Sequence, residues 1–201
     1  MPARVDHEQR RRQIAEALLR IAATRGLQAA SMREVAAEAG VSLRLVQYYF
    51  STKDQLLLGA LPYLAERLSL RVRSRIGALG SPPTPRQVVE GTLFAVLPTD
   101  EESSQIRRTY DAFYALVLAE PRLAEQYEAR DPDALERLLA GQLDLAQRAG
   151  DVAADHDPPQ VAAGLLALTN GLGASVVGGQ RTGEAATAVL AYHLDRLFDG
   201  R

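Results

Sequence analysis

SMREVAAEAGVSLRLVQYYFSTK, residues Ser31 to Lys53, decides the fold. Ser31 followed three residues later by Glu34 is a capping box, so a helix begins just after Ser31. Val35, Ala36 and Ala39 then give that helix one apolar face. Gly40 stands where the chain must turn, because glycine accepts the left-handed conformation that closes such a helix. Ser42 caps a second, seven-residue helix on which Leu45, Val46 and Tyr49 recur at the spacing of an inward face. Ala36 lets the two helices cross closely, where a larger side chain would part them. Arg44, Gln47 and Tyr48 are left on the outer side, and such side chains suit base edges and phosphates. The segment reads as a helix-turn-helix.

Outward from this segment almost everything reads as helix, so the expected fold class is all-α with about nine helices. A first helix is expected over about His7–Arg25, opened by an Asp6/Gln9 box, striped with Ile14, Leu18 and Ile21, and stopped by Gly26. Ser51 and Asp54 are expected to cap a long helix from about Lys53 to Ala78, bent by Pro62. Gly80-Ser81-Pro82-Pro83 reads as a loop, and Thr84-Pro85-Arg86-Gln87 opens the next helix, which ends near Pro98. Helices follow over about Glu102–Ala119 and Pro121–Ala149, the latter interrupted at Asp131-Pro132 by either a kink or a break. Two more are expected from Asp157-Pro158 to Gly178-Gly179 and from Gly183 to Phe198.

Composition narrows the function. The 201 residues include no Cys, which excludes disulfides, thiolate metal sites and thiol nucleophiles. His7, His156 and His193 stand far apart, and no metal site or cofactor is expected. The polar, Arg-rich start is unlike a signal peptide, and no apolar run is expected to reach the roughly 20 residues of a membrane span. A cytoplasmic protein without membrane contact is expected. The overall charge of −2 hides an asymmetry. Residues 1–56 hold nine Lys and Arg against six Asp and Glu, net +3, whereas residues 57–201 hold 14 against 19, net −5. The basic end carries the helix-turn-helix, and the acidic remainder is repelled by DNA.

The chain resembles the TetR (tetracycline-repressor) family of bacterial transcriptional regulators. The resemblance rests on Gly26-Leu27, Ser31-Met32-Arg33-Glu34-Val35-Ala36, Ala39-Gly40-Val41-Ser42, Tyr48-Tyr49-Phe50 and Lys53-Asp54-Gln55-Leu56. It implies a DNA-binding domain over 1–56 and an effector-binding and dimerisation domain over 57–201. It further implies a homodimer, a near-palindromic double-stranded operator read one duplex turn apart, a small-molecule effector and, as the more common sign, repression.

Residue by residue, the resemblance puts Ser31 and Arg33 on phosphates, aided by the helix N-terminus. Ser42, Arg44 and Gln47 fall on the groove floor, with Arg bridging guanine O6 and N7 and Gln pairing with adenine. Tyr48, Tyr49 and Lys53 fall on the backbone. Leu43 either touches a thymine methyl or packs, and Arg10, Arg11 and Arg12 form either a solvated helix face or a groove arm. Phe94, Tyr110, Phe113, Tyr114 and Tyr127, with Asn170 as a polar orienter, are the expected wall of a pocket for a largely apolar effector; the alternative is plain core. By the same resemblance Leu165, Leu172 and Val176 and, on the last helix, Leu190, Leu194 and Leu197 are the expected dimer interface; the alternative is packing within one subunit.

Two other classes compete. A helical enzyme finds no nucleophile–base pair, paired-carboxylate motif or metal spacing to support it, so no enzymatic activity is expected. A dimeric ligand-binding or protein-interaction module with a vestigial DNA head is separated from a regulator by a gel shift with DNA upstream of the gene.

Overall fold

A computed structural model describes residues 2–78, 82–128 and 133–199. Among the described residues there are ten α-helices and no strand. They are α1 (Pro2–Arg25), α2 (Met32–Ala39), α3 (Leu43–Tyr49), α4 (Lys53–Gly77), α5 (Pro85–Val96), α6 (Glu101–Ala119), α7 (Pro121–Glu128), α8 (Ala134–Ala149), α9 (Pro158–Val177) and α10 (Gly183–Asp199), with a short 3-10 turn at Leu27–Ala29 after α1. The count exceeds the expected nine because the stretch beyond Pro121 holds two helices, ending at Glu128 and resuming at Ala134. Asp131-Pro132 itself, and Gly80-Ser81 of the expected loop, lie outside the described residues.

The caps follow the chemistry of the sequence with two shifts. Thr84 and Gln87 form the expected reciprocal box with Pro85 at the first helical position, and Asp157 accepts from the Gln160 N–H at the start of α9. The cap of α4 sits one residue later than Ser51/Asp54. Thr52 Oγ1 accepts from the Gln55 N–H at 3.1 Å, and Gln55 Oε1 accepts from the Ser51 N–H at 3.1 Å. α1 starts five residues before His7, so no Asp6/Gln9 box forms, and Asp6 instead faces Arg10 one turn on at 3.7 Å. Pro62 sits inside an uninterrupted α4.

The chain divides into two interleaved compact units. One comprises residues up to 67 together with 108–130, the other 68–107 together with 131–201. The expected boundary after residue 56 falls in the first turn of α4, so neither unit coincides with it. In the first unit Ile14, Leu18 and Ile21 of α1, Val35 and Ala36 of α2, Val46 of α3 and Leu56 of α4 are all buried. Phe50, closing α3, is 1% exposed, and a Cβ at Gly59 would come within 2.5 Å of its ring, so only glycine lets α4 lie this close. In the second unit one core joins Val89, Leu93 and Leu97 of α5 to Leu139 and Leu143 of α8, Leu165 and Leu172 of α9, and Leu190, Leu194 and Phe198 of α10.

The expected dimer-interface leucines lie in this core. Within the single chain Leu165, Leu172, Leu190 and Leu194 are between 0 and 8% exposed. Val176 and Leu197 are half-buried against the same core. The expectation about apolar runs changes. α9 is 20 residues long and, by length and composition, apolar enough to cross a membrane. Ala and Gly lower hydropathy little, so the run is longer than the leucines alone suggest. The same composition suits a helix packed in a bundle, and Ala162, Leu165, Thr169 and Leu172 of α9 are indeed buried.

Candidate DNA interface

Local chemistry shapes the DNA-reading element from both ends. Ser31 Oγ accepts from the Glu34 N–H and Glu34 accepts from the Ser31 N–H, each at 3.2 Å. The Ser31 backbone N–H, and after it the hydroxyl, hold the Glu34 carboxyl below its ordinary range. Gly40 ends α2 in the left-handed region at φ +66, and Ser42 Oγ accepts from the Leu45 N–H to start α3. Val46 alone among the seven residues of α3 is buried. Leu43, Leu45 and Tyr49 are half-buried, while Arg44, Gln47 and Tyr48 are exposed, Tyr48 by 71%. Ser31, Arg33, Ser42 and Lys53 are exposed as well. The outward triplet read from spacing is therefore the outward triplet of the structure.

Arg10, Arg11 and Arg12 of α1 have partners nearby. Arg12 donates to Glu66 of α4 at 2.7 Å and lies over the Tyr63 ring at 5.2 Å. Arg11 lies 4.6 Å over the Phe50 ring, and Arg10 donates to Gln13 at 3.0 Å. Tyr63 Oη donates to Glu8 at 2.7 Å; burial first, and the hydrogen bond to Glu8 next, push that phenol up to about 12. Glu8, Arg11, Arg12 and Glu66 line an open groove together with Gly59, Pro62 and Tyr63. Of the two readings of Arg10–Arg12, these contacts favour a helix face that ties α1 to α4 and to the end of α3.

The aromatic candidates separate. Tyr110 and Tyr114 stack at 6.1 Å on the exposed side of α6, Phe113 is 3% exposed, and Tyr127 of α7 is half-buried; all four belong to the first unit. Phe94 packs against the second unit's core, so the six residues do not form a single cluster within either unit. Asn170 is exposed, because it lies one residue past the inward position held by Thr169. Its Oδ1 accepts from Arg107 Nη1 at 3.0 Å. Arg107 is 7% exposed and lies against Gly173, where a Cβ would stand 2.7 Å from Nη1. Neither Arg107 nor His7, which contacts the Tyr48 and Tyr49 rings, stands out in the sequence. Their partners are 63 and more than 40 residues away, beyond any local pattern. Among the described residues no three His, Asp or Glu side chains come together in a way that could hold a metal ion.

Residues 14–60 match the profile of bacterial regulatory proteins of the tetR family, and residues 85–199 match that of the BetI-type transcriptional repressor C-terminal region. The chain belongs to the TetR family of bacterial transcriptional regulators. This TetR-family chain is 39% identical over 116 residues to the HTH-type transcriptional regulator PksA of Bacillus subtilis, an alignment covering 57% of the chain and 55% of PksA. It is 32% identical over 122 residues to the HTH-type transcriptional regulator BetI of Pectobacterium carotovorum, covering 61% of the chain and 62% of that relative. The match thus spans less than two thirds of either relative's own length. A TetR-family regulator from a Rhodococcus species superposes with a TM-score of 0.84 at 25% identity, over 95% of this chain and 99% of that one. The helices described above are therefore a TetR-like all-α fold with a helix-turn-helix at its start.

Proposed function

We propose that this TetR-family regulator is a repressor that binds a near-palindromic operator as a homodimer and leaves it when a small, largely apolar effector binds. The observation that carries the DNA reading is the outer face of α3. Arg44, Gln47 and Tyr48 are exposed on a helix anchored from below by Val46 and capped by Ser42. An α-helix of this kind fits the major groove, where Arg and Gln have bidentate partners. Ser31, Arg33, Tyr49 and Lys53 take the phosphates, and Leu43 the apolar edge of a thymine. The functional division between DNA head and effector-and-dimer part stays near residue 56, where the tetR-family match gives out at residue 60. A DNA-binding regulator of this kind works in the cytoplasm.

The homodimer reading moves to the outer faces of α9 and α10. Gly164, Ala167, Gly171 and Ala174 are exposed at alternating spacings of three and four, one stripe of α9. A Cβ at Gly164 or Gly171 would meet nothing within 4 Å. Glycine inside a helix is worse than alanine by about 1 kcal/mol, and nothing within the subunit requires it at these positions. A second helix approaching closely from outside gives it a reason. Ala185, Ala188 and Tyr192 are the exposed residues of α10 that extend such a surface.

For the effector, Tyr110, Phe113, Tyr114 and Tyr127 of the first unit remain the candidate contacts, with Phe94 and Asn170 of the second. Coupling runs through a population shift, in which the effector favours one of two dimer geometries. α4 is suited to carry it, because charged groups grip it in each unit. Glu66 and Tyr63 tie it to α1, and Arg71 further along donates to the Ala95 carbonyl at 3.2 Å and to Glu102 at 3.3 Å, and also pairs with Asp100.

The test is a fluorescence-anisotropy titration of duplex DNA from upstream of the gene, followed by Arg44→Ala. Sequence-specific binding that weakens in the variant, with unchanged helical content and melting, is expected. Equal affinity for that duplex and for random DNA would overturn the reading.

A further inference from the structure

α1 brings one more side chain to the recognition surface. The His7 ring centroid lies 4.5 Å from that of Tyr49 and 6.1 Å from that of Tyr48, and the two tyrosines are 5.2 Å apart. All three pairs meet edge-on, at 63°, 66° and 87°. This is the arrangement aromatic rings prefer, with the positive edge of one against the negative face of the next. The cluster is no part of the core, since His7 is exposed and Tyr48 is 71% exposed. Its effect is to fix the direction of two tyrosines on the C-terminal turn of α3.

A purely apolar ring would fix them equally well. Histidine adds ring N–H donors and a charge that changes between about pH 5 and 8 in ordinary imidazoles. The neighbouring cations of α1 are already committed: Arg10 to Asp6 and Gln13, Arg11 to the Phe50 ring, Arg12 to Glu66 and Tyr63. We infer that His7 is a further DNA-contacting residue, which positions Tyr48 and Tyr49 and, when protonated, donates to a backbone phosphate of the operator. The inference rests on the DNA reading proposed above.

Among the described side chains, α1 and α3 bring charged and titratable groups to the surroundings of His7. On α1 they are Asp6, paired with Arg10, and Glu8, which accepts from Tyr63 of α4. Arg11 of α1 covers Phe50 at the end of α3, and α3 itself presents the Tyr48 and Tyr49 hydroxyls and Arg44. With both acids engaged in this way, the polyanion is the new negative partner that binding supplies. The sign follows from linkage. A phosphate beside the ring favours the imidazolium, so binding takes up a proton and affinity falls as pH rises.

The experiment uses the full chain and a duplex that it selects from a random pool at pH 7. Affinity is measured at pH 6 and pH 8 over a range of salt for the wild type, His7→Gln and His7→Phe. Each phosphate neutralised steepens the salt dependence by about 0.9 in log–log slope. The wild type should bind more tightly at pH 6, with a slope steeper there by about that amount per subunit. His7→Gln should show the same slope at both pH values. His7→Phe should match it in slope and keep the wild-type affinity at pH 8, because the ring still orients the tyrosines. A pH dependence equally large in the wild type and His7→Gln would overturn the role of His7 while leaving DNA binding intact, since His156 and His193 would then carry it. If the wild type selects no duplex, DNA reading falls and this inference with it.

Discussion

α3 and α9 both leave much of their surface uncovered, and they leave opposite chemistry there. α3 is short, has Val46 as its one buried residue, and presents Arg44, Gln47 and Tyr48. α9 is nearly three times as long, buries Ala162, Leu165, Thr169 and Leu172, and presents Gly164, Ala167, Gly171 and Ala174. Long polar side chains reach several ångströms into a groove and hydrogen-bond there. Small side chains reach nowhere and let another backbone come close. Exposure alone therefore does not define a functional surface, and the length and polarity of what is exposed indicate which partner each surface suits.

The largest effect that sharpens this contrast comes from filling the α9 stripe. Gly171→Trp places a bulky group where the subunit has open space, so the subunit should fold normally while the dimer dissociates in sedimentation-velocity runs. Loss of two-site binding should weaken operator affinity by about 100-fold or more. A Gly171→Trp protein that stays dimeric would break the comparison from the α9 side.

The next effect separates core from surface within the same unit. Leu190 is fully buried, whereas Ala188 of the same helix is exposed. Leu190→Ala should lower unfolding free energy by about 2–5 kcal/mol, the range for a buried leucine. Ala188→Leu should leave the unfolding of the isolated subunit nearly unchanged and act on association. Chemical denaturation over a range of protein concentrations distinguishes the two, and equal effects on concentration dependence would return Leu190 to the interface.

A smaller effect concerns acid. Asp100 caps α6, where Ser103 N–H and Oγ each donate to it at 2.8 Å, and it pairs with Arg71. Burial works against its ionisation, but the Ser103 backbone, Arg71 and the Ser103 hydroxyl outweigh it and hold the carboxyl at about 2. A carboxyl lowered on folding stabilises the fold above its unfolded pKa, near 3.9 for an ordinary Asp, and that contribution is lost as pH falls through the folded value. Stability should therefore drop between about pH 4 and pH 2 by more in the wild type than in Asp100→Asn, which lacks this contribution throughout. Acid titration followed by circular dichroism checks it, and superimposable curves would remove Asp100 from the account.

What the sequence made legible was local. Ser31 with Glu34, Gly40 and Ser42 act on backbone groups within four residues, so spacing alone located both helices and the outward triplet. The α4 cap slipped by one residue because Ser51/Asp54 and Thr52/Gln55 both satisfy the pattern, and only geometry chooses between them. The leucines of α9 and α10 show a different limit of spacing. α9 is apolar on two sides, and periodicity finds stripes without saying which is inward. The large leucines fill the subunit's core and leave the small residues outside. Arg107 and His7 depend on contacts across the fold that no spacing encodes. On α6 Tyr110 and Tyr114 are exposed while Phe113 is buried, a split that came only with the structure.

The central claim is that the outer face of α3 reads bases while its flanks hold phosphate. The direct measurement is operator affinity across every single-base substitution for the wild type, Arg44→Ala and Arg33→Ala. The account predicts that Arg44→Ala loses about 1–3 kcal/mol per half-site and loses preference at one base-pair position. Arg33→Ala should weaken all duplexes alike and lower the salt slope by about one per subunit. A base-preference profile unchanged in Arg44→Ala would contradict it.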